Sequence, residues 1–173
     1  MNPLRMFAAV AALGFAAAQA QAADVTLSFT GNIIVPTCTV DSTTANQTIP
    51  LTTASSSDFA SVGSTQLPAA FNLKLKSCTA GAGVSMTVSG TSDTVTSVLK
   101  NTGTATGVGV QLLLGSSVGA TTGTAIALNA LQSVGTVDAT NAMTIPMVAQ
   151  YYRLGTMTAG TVAAAATVNF TYK

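Results

Sequence analysis

The C-terminal stretch Gly160-Thr161-Val162-Ala163-Ala164-Ala165-Ala166-Thr167-Val168-Asn169-Phe170-Thr171-Tyr172-Lys173 can be read at two periods, and the choice decides the fold. At a period of 3.6 its alanine run is a helix with Val162, Ala166 and Phe170 on one face. At a period of two, Val162, Ala164, Ala166, Val168, Phe170 and Tyr172 share a face. The β-branched and aromatic run from Thr167 to Tyr172 favours the strand, because such side chains fit a pleated, half-buried surface. A strand that ends the chain, with none following, leaves an edge that something must cover.

The period of two recurs upstream. Val25, Leu27, Phe29, Gly31 and Ile33 alternate with Thr26, Ser28, Thr30 and Asn32. Phe71, Leu73 and Leu75 form a second set, Val84, Met86 and Val88 a third, and Val108, Val110, Leu112 and Leu114 a fourth. Each predicts a strand with one buried and one wet face. The turn-rich stretch 115–142 reads as loop with one short strand around Ile126–Leu128. Several short strands between Gly, Ser, Thr and Asn turns predict an all-β sandwich in one domain, without an internal repeat.

Composition narrows the function. Charged residues make up 6% of the 173 residues, against roughly 25% in an ordinary globular chain. Apolar residues make up 48%, so the chain has the means to fold. Its bases, Arg5, Lys74, Lys76, Lys100, Arg153 and Lys173, are scattered and form no basic stripe, which argues against nucleic acid. Without histidine there is no Ser-His-Asp or Cys-His arrangement and no imidazole metal site. The five Asp residues (24, 41, 58, 93 and 138) are dispersed in turn-like contexts, where Asp usually bonds nearby backbone. No enzyme, metal site or cofactor is expected.

Residues 1–22 read as a secretory signal peptide: Arg5 in the n-region, an apolar run from Met6 to Ala18, and small residues alternating up to Ala22. Cleavage is placed after Ala22, with Ala20 and Ala23 as alternatives. The run is about 13 residues, short of the roughly 20 that a membrane span needs. Removing Arg5 leaves five bases (6 − 1) against five Asp, a formally neutral chain. Two cysteines remain, Cys38 and Cys78. An exported chain with an even cysteine count oxidises them, and two allow one pairing.

Several short stretches then belong together. Gly31-Asn32-Ile33-Ile34-Val35-Pro36-Thr37-Cys38-Thr39-Val40 leads into the first cysteine, and Phe71-Asn72-Leu73-Lys74-Leu75-Lys76-Ser77-Cys78 into the second. Gly107-Val108-Gly109-Val110-Gln111-Leu112, Ala149-Gln150-Tyr151-Tyr152, Gly160 fourteen places from the end and the penultimate Tyr172 follow in order. In order and spacing the chain resembles the chaperone–usher fimbrial (type 1-like) pilin subunits over essentially its whole mature length.

The resemblance implies an incomplete immunoglobulin-like sandwich lacking its last strand, completed by a donor strand from another chain. It divides the chain into a signal peptide (1–22), an N-terminal donor-strand extension (23–35) and a pilin domain (36–173). By resemblance, Val25, Leu27, Phe29 and Ile33 insert into a neighbour's groove, and Gly31 sits where that groove is too tight for a side chain. Gly160, Val162, Ala164, Ala166, Val168, Phe170, Tyr172 and Lys173 then form a groove wall and chaperone-binding edge. The small Ala164 and Ala166 imply a shallow stretch. The implied partners are neighbouring fimbrial subunits, a periplasmic chaperone and an outer-membrane usher, and the implied destination is a fimbrium on the cell surface that supports adhesion. Three alternatives remain: residues 25–33 as an ordinary first strand of their own domain, a minor adaptor rather than a repeating shaft subunit, and a secreted carbohydrate- or receptor-binding sandwich.

Overall fold

The structure, a computed structural model, describes residues 27–33, 35 and 37–173. The chain divides into two units, 1–33 and 34–173. Within the first, residues 27–33 carry no helix or strand, and Leu27, Phe29 and Ile33 are exposed. The expected signal peptide and Val25 lie outside the described residues.

The second unit is an incomplete immunoglobulin-like sandwich of nine strands among the described residues. They are β1 (Thr39–Val40), β2 (Thr65–Lys76), β3 (Gly83–Ser89), β4 (Val98–Lys100), β5 (Thr106–Gly115), β6 (Gly123–Ala125), β7 (Leu131–Thr136), β8 (Met143–Thr158) and β9 (Thr167–Tyr172). One sheet runs β1-β2-β8-β5-β4, with β6 also on β5; the other runs β7-β3-β9. A single helical turn, α1 (Ser42–Ala45), follows β1. Asp41 caps it by accepting the Thr43 N–H at 2.9 Å.

The core forms where the inward faces of the two sheets meet. The larger sheet supplies Leu73 and Leu75 from β2, Val110 and Leu112 from β5, and Ile145, Met147 and Ala149 from β8. Val84, Met86 and Val88 of β3 meet them from the smaller sheet, and Met86 and Val88 are wholly buried. The β2, β3 and β5 members belong to the period-two sets of the sequence, with β3 alternating between buried and half-buried along its length, while the β8 members come from outside those sets.

Three sequence expectations change. First, the short strand expected at Ile126–Leu128 lies at Gly123–Ala125. Ile126 and Leu128 instead drop into the core, and their N–H groups donate to Leu112 and Thr96 carbonyls. Second, 115–142 holds another strand, β7, whose alternation is broken by a bulge opposite Val84 and Ser85. Third, the C-terminal ladder is Thr167–Tyr172 only. Residues 161–166 are neither helix nor ladder strand.

Cys38 and Cys78 are joined by a disulfide that closes a separation of 40 residues. Cys78 is braced independently: its N–H donates to the Asn141 carbonyl at 2.9 Å, and Asn141 Nδ2 donates to its carbonyl at 2.8 Å. Closing a loop of that length stabilises the folded chain by about 4 kcal/mol through the unfolded state. Replacing both cysteines by serine should therefore lower the unfolding free energy by about 4 kcal/mol in urea titrations of the mature chain.

Candidate strand-acceptor groove

The smaller sheet has two outer edges, and they are built differently. The outer edge of β7 is interrupted by the bulge at Val134 and Gly135, and Gly135 has a φ of 132°. A bulge twists an edge away from further pairing. β9 pairs with β3 in unbroken register from Ser89↔Thr167 to Val84↔Tyr172. It contains no proline or charged residue and has no neighbour on its other side among the described residues.

Antiparallel geometry fixes what that open side presents. Lys173 and Gly83 exchange two backbone hydrogen bonds, each 2.9 Å. Bonded pairs alternate with non-bonded ones in an antiparallel ladder. Thr171, Asn169 and Thr167 therefore direct their backbone groups to β3, whereas Tyr172, Phe170 and Val168 direct theirs to the open side. The side chains of Val168, Phe170 and Tyr172 are half-buried against the core. One set of residues thus offers both an unpaired backbone edge and an incompletely covered apolar face.

Upstream of β9, Val162 and Ala164 continue the half-buried set, while Ala166 and Gly160 are exposed. The apolar surface runs on into a hollow of about 770 Å³ lined by Leu51, Ala54, Phe59, Tyr151, Met157 and Val162. Phe59 and Tyr151 meet edge-on, with ring centroids 6.4 Å apart. Arg153 holds the Phe59 segment through a 2.8 Å hydrogen bond from Nη1 to the Phe59 carbonyl. Ile49 and Leu51 also pack on the core, from a segment outside any strand. Sequence reasoning passed over Ile49, Leu51, Phe59 and Met157. The signal for the first two is the spacing in Ile49-Pro50-Leu51, two apolar residues at a period of two.

The acidic residues do local work. Asp41, Asp93 and Asp138 each accept a backbone N–H one or two residues ahead, and Asp58 accepts the Ser55 N–H. The fifth, Asp24, lies outside the described residues. Among the described residues no three His, Cys, Asp or Glu side chains cluster as a metal site would require.

Comparison with known proteins follows the same lines. The family model described as fimbrial protein matches residues 27–173. The type-1 fimbrial protein subunit of Serratia marcescens is 38% identical over 107 residues, covering 58% of this chain and 59% of that protein. The type 1 fimbrial subunit of Salmonella typhimurium is 32% identical over 124 residues, covering 62% of this chain and 67% of that one. The matches thus span about three-fifths to two-thirds of these curated relatives. Among solved structures, the P pilus rod subunit PapA superposes with a TM-score of 0.64 at 17% identity, covering 79% of this chain and 99% of that one. That likeness shows a shared fold. A type I fimbria protein and antigen of Burkholderia pseudomallei superposes with a TM-score of 0.55 at 29% identity, covering 80% and 89%.

The titratable groups predict a flat response to pH. Asp41 is held below the usual carboxylate value chiefly by the Thr43 N–H, and Asp138 chiefly by the Thr140 hydroxyl. Both favour the folded state above the unfolded carboxylate value of about 3.9, and that contribution is lost as pH falls through their folded values. Burial raises Tyr151 and Tyr172, so the folded chain keeps those protons longer. Stability is then lost as pH rises beyond the unfolded tyrosine value of about 10. No histidine titrates between these limits. Unfolding free energies from urea titrations should be level from about pH 5 to 9 and fall on either side. A midpoint near pH 6.5 would contradict this.

Proposed function

This chain belongs to the fimbrial protein family, and we propose that within a chaperone–usher fimbria it is the repeating shaft subunit, polymerising by donor-strand exchange. The observation that carries the reading is a pairing of opposites in one polypeptide. β9 offers an unbulged, charge-free edge, unpaired among the described residues, over half-buried Val168, Phe170 and Tyr172. Leu27, Phe29 and Ile33, an apolar set at strand period, are exposed, Phe29 at 89% and Ile33 at 101%. A second copy's residues 23–35 are the occupant that fits: backbone hydrogen bonds hold the added strand, and alternate side chains fill the groove.

A chain with donor and acceptor on different surfaces makes head-to-tail contacts, which propagate as a filament instead of closing on themselves. This supports a polymerising subunit over an isolated receptor-binding module. Burying Val25, Leu27, Phe29 and Ile33 contributes about 6–12 kcal/mol at 1.5–3 kcal/mol each, before ordering costs. Before assembly the same edge needs a temporary cover, the role we assign to a periplasmic chaperone that hands the subunit to an outer-membrane usher. Gly160, Val162, Ala164, Ala166, Val168, Phe170, Tyr172 and Lys173 are the proposed contact set. Their backbone ends at a Lys173 already fixed by Gly83.

The test separates the two faces of the donor. Phe29→Asp places an unpaired carboxylate in the groove and should cut fibre yield at least about a hundredfold while leaving the chaperone complex intact. Thr30→Asp, one residue on, changes the opposite face and should cost little. Normal fibre yield from Phe29→Asp would refute the insertion of this segment.

A further inference from the structure

We propose that Asn101 is a positioning residue whose side-chain amide supplies a missing ladder rung and extends the strand-accepting edge from Thr167–Tyr172 back to Val162. The inference rests on the donor-strand reading above and adds a residue that the reading does not contain.

β9 has six residues, about 20 Å at 3.4 Å per residue. The alternating donor set, 25–33, has nine and needs about 31 Å. β9 alone is therefore too short an edge. The eleven residues 162–172 span about 37 Å and would suffice, provided that 162–166 keep an extended course in phase with β9. No neighbouring strand holds that course, because β3 ends at Ser89 opposite Thr167.

The turn after β4 does so instead. Asn101 Oδ1 accepts the Ala163 N–H at 2.8 Å, as a strand carbonyl would. The Thr102 N–H returns a 2.8 Å hydrogen bond to the Ala163 carbonyl. Two residues earlier, the Thr161 N–H donates to Thr104 Oγ1 at 2.9 Å, and the Thr161 carbonyl accepts the Ala105 N–H at 3.0 Å. Asn101 also ties its own turn, accepting the Gly103 N–H at 2.9 Å and donating Nδ2 to the Ala105 carbonyl at 2.7 Å. Its amide thus makes good use of both ends.

Parity makes the arrangement more than a loop contact. Thr161 and Ala163 spend their backbone groups inward, as do Thr167, Asn169, Thr171 and Lys173 on β3. The backbone groups of Val162 and Ala164 have no partner among the described residues, and their side chains are half-buried like those of Val168, Phe170 and Tyr172. Ala165 and Ala166 have no backbone partner among the described residues and are exposed, but on either side of them the parity is the same, so Val162 and Ala164 share the phase of Val168, Phe170 and Tyr172. The close approach also accounts for the glycines: a Cβ at Gly160 would lie 2.4 Å from the Ala105 nitrogen, and one at Gly103 2.2 Å from the Thr161 oxygen.

The experiment is amide hydrogen exchange on the full mature chain mixed with a synthetic peptide of residues 23–35. In the wild type the peptide should protect both 162–166 and 167–172. In Asn101→Ala, 167–172 should stay protected, while 162–166 exchange at least about tenfold faster and the peptide dissociates about tenfold faster. Asn101→Asp keeps both acceptor contacts, to Ala163 and Gly103, and should restore part of the protection. Thr104→Val, a milder change should Asn101→Ala not fold, should shift 162–166 in the same direction. Equal protection of 162–166 in wild type and these variants would overturn the role of Asn101. Failure of the wild type to protect 167–172 would instead sink the donor-strand reading itself, and this inference with it.

Discussion

A strand has two hydrogen-bonding sides, and antiparallel pairing sends the backbone groups of successive residues to alternate sides. In this molecule that constraint bears hardest on the last strand. β3 satisfies one side of β9, and among the described residues no strand satisfies the other. The residues that leave their backbone groups open also carry the half-buried Val168, Phe170 and Tyr172. Backbone and side-chain deficits therefore coincide, and a single added strand in the right phase removes both. An added helix or loop could cover the apolar face but would leave the row of backbone groups unpaired.

Much of this was legible in the sequence, and what was missed has physical reasons. The faces of β3 and β9 read directly, because each alternates cleanly, and one face of β5 read through Val108, Val110, Leu112 and Leu114 although Val108 to Leu113 are all buried. β8 did not, because Met147 to Tyr151 are all buried and a strand covered on both faces loses its period. β7 was hidden by the extra residue of its bulge. Residues 161–166 kept the period of a strand but not its ladder, since their partner is a turn and a side-chain amide. A lone Asn in a turn carries no such message in sequence. The half-burial of Val162, Ala164, Val168, Phe170 and Tyr172 was therefore legible, while the exposure of Ala166 and the contacts that hold residues 161–164 were not.

The scarcity of charge fits the same physics. Asp41 to Lys76, at 3.6 Å, is the one ion pair among the described residues, and both partners are partly exposed. Such pairs contribute little. The remaining described carboxylates cap turns. With few like charges to keep copies apart, close association of chains meets little long-range opposition, and specificity falls to register and shape.

The covalent link between Cys38 and Cys78 also has a mechanical meaning. Were the proposed donor segment to carry tension in a filament pulled lengthwise, that tension would enter the folded unit at Thr37 and Cys38. β1, only two residues long, would be a weak seam from which to begin unzipping. The sulfur bridge diverts that traction past β1 to the end of β2, a twelve-residue strand lying between β1 and β8. Stress is thereby spread over the rungs between β2 and β8 together, instead of peeling a two-residue seam one rung at a time.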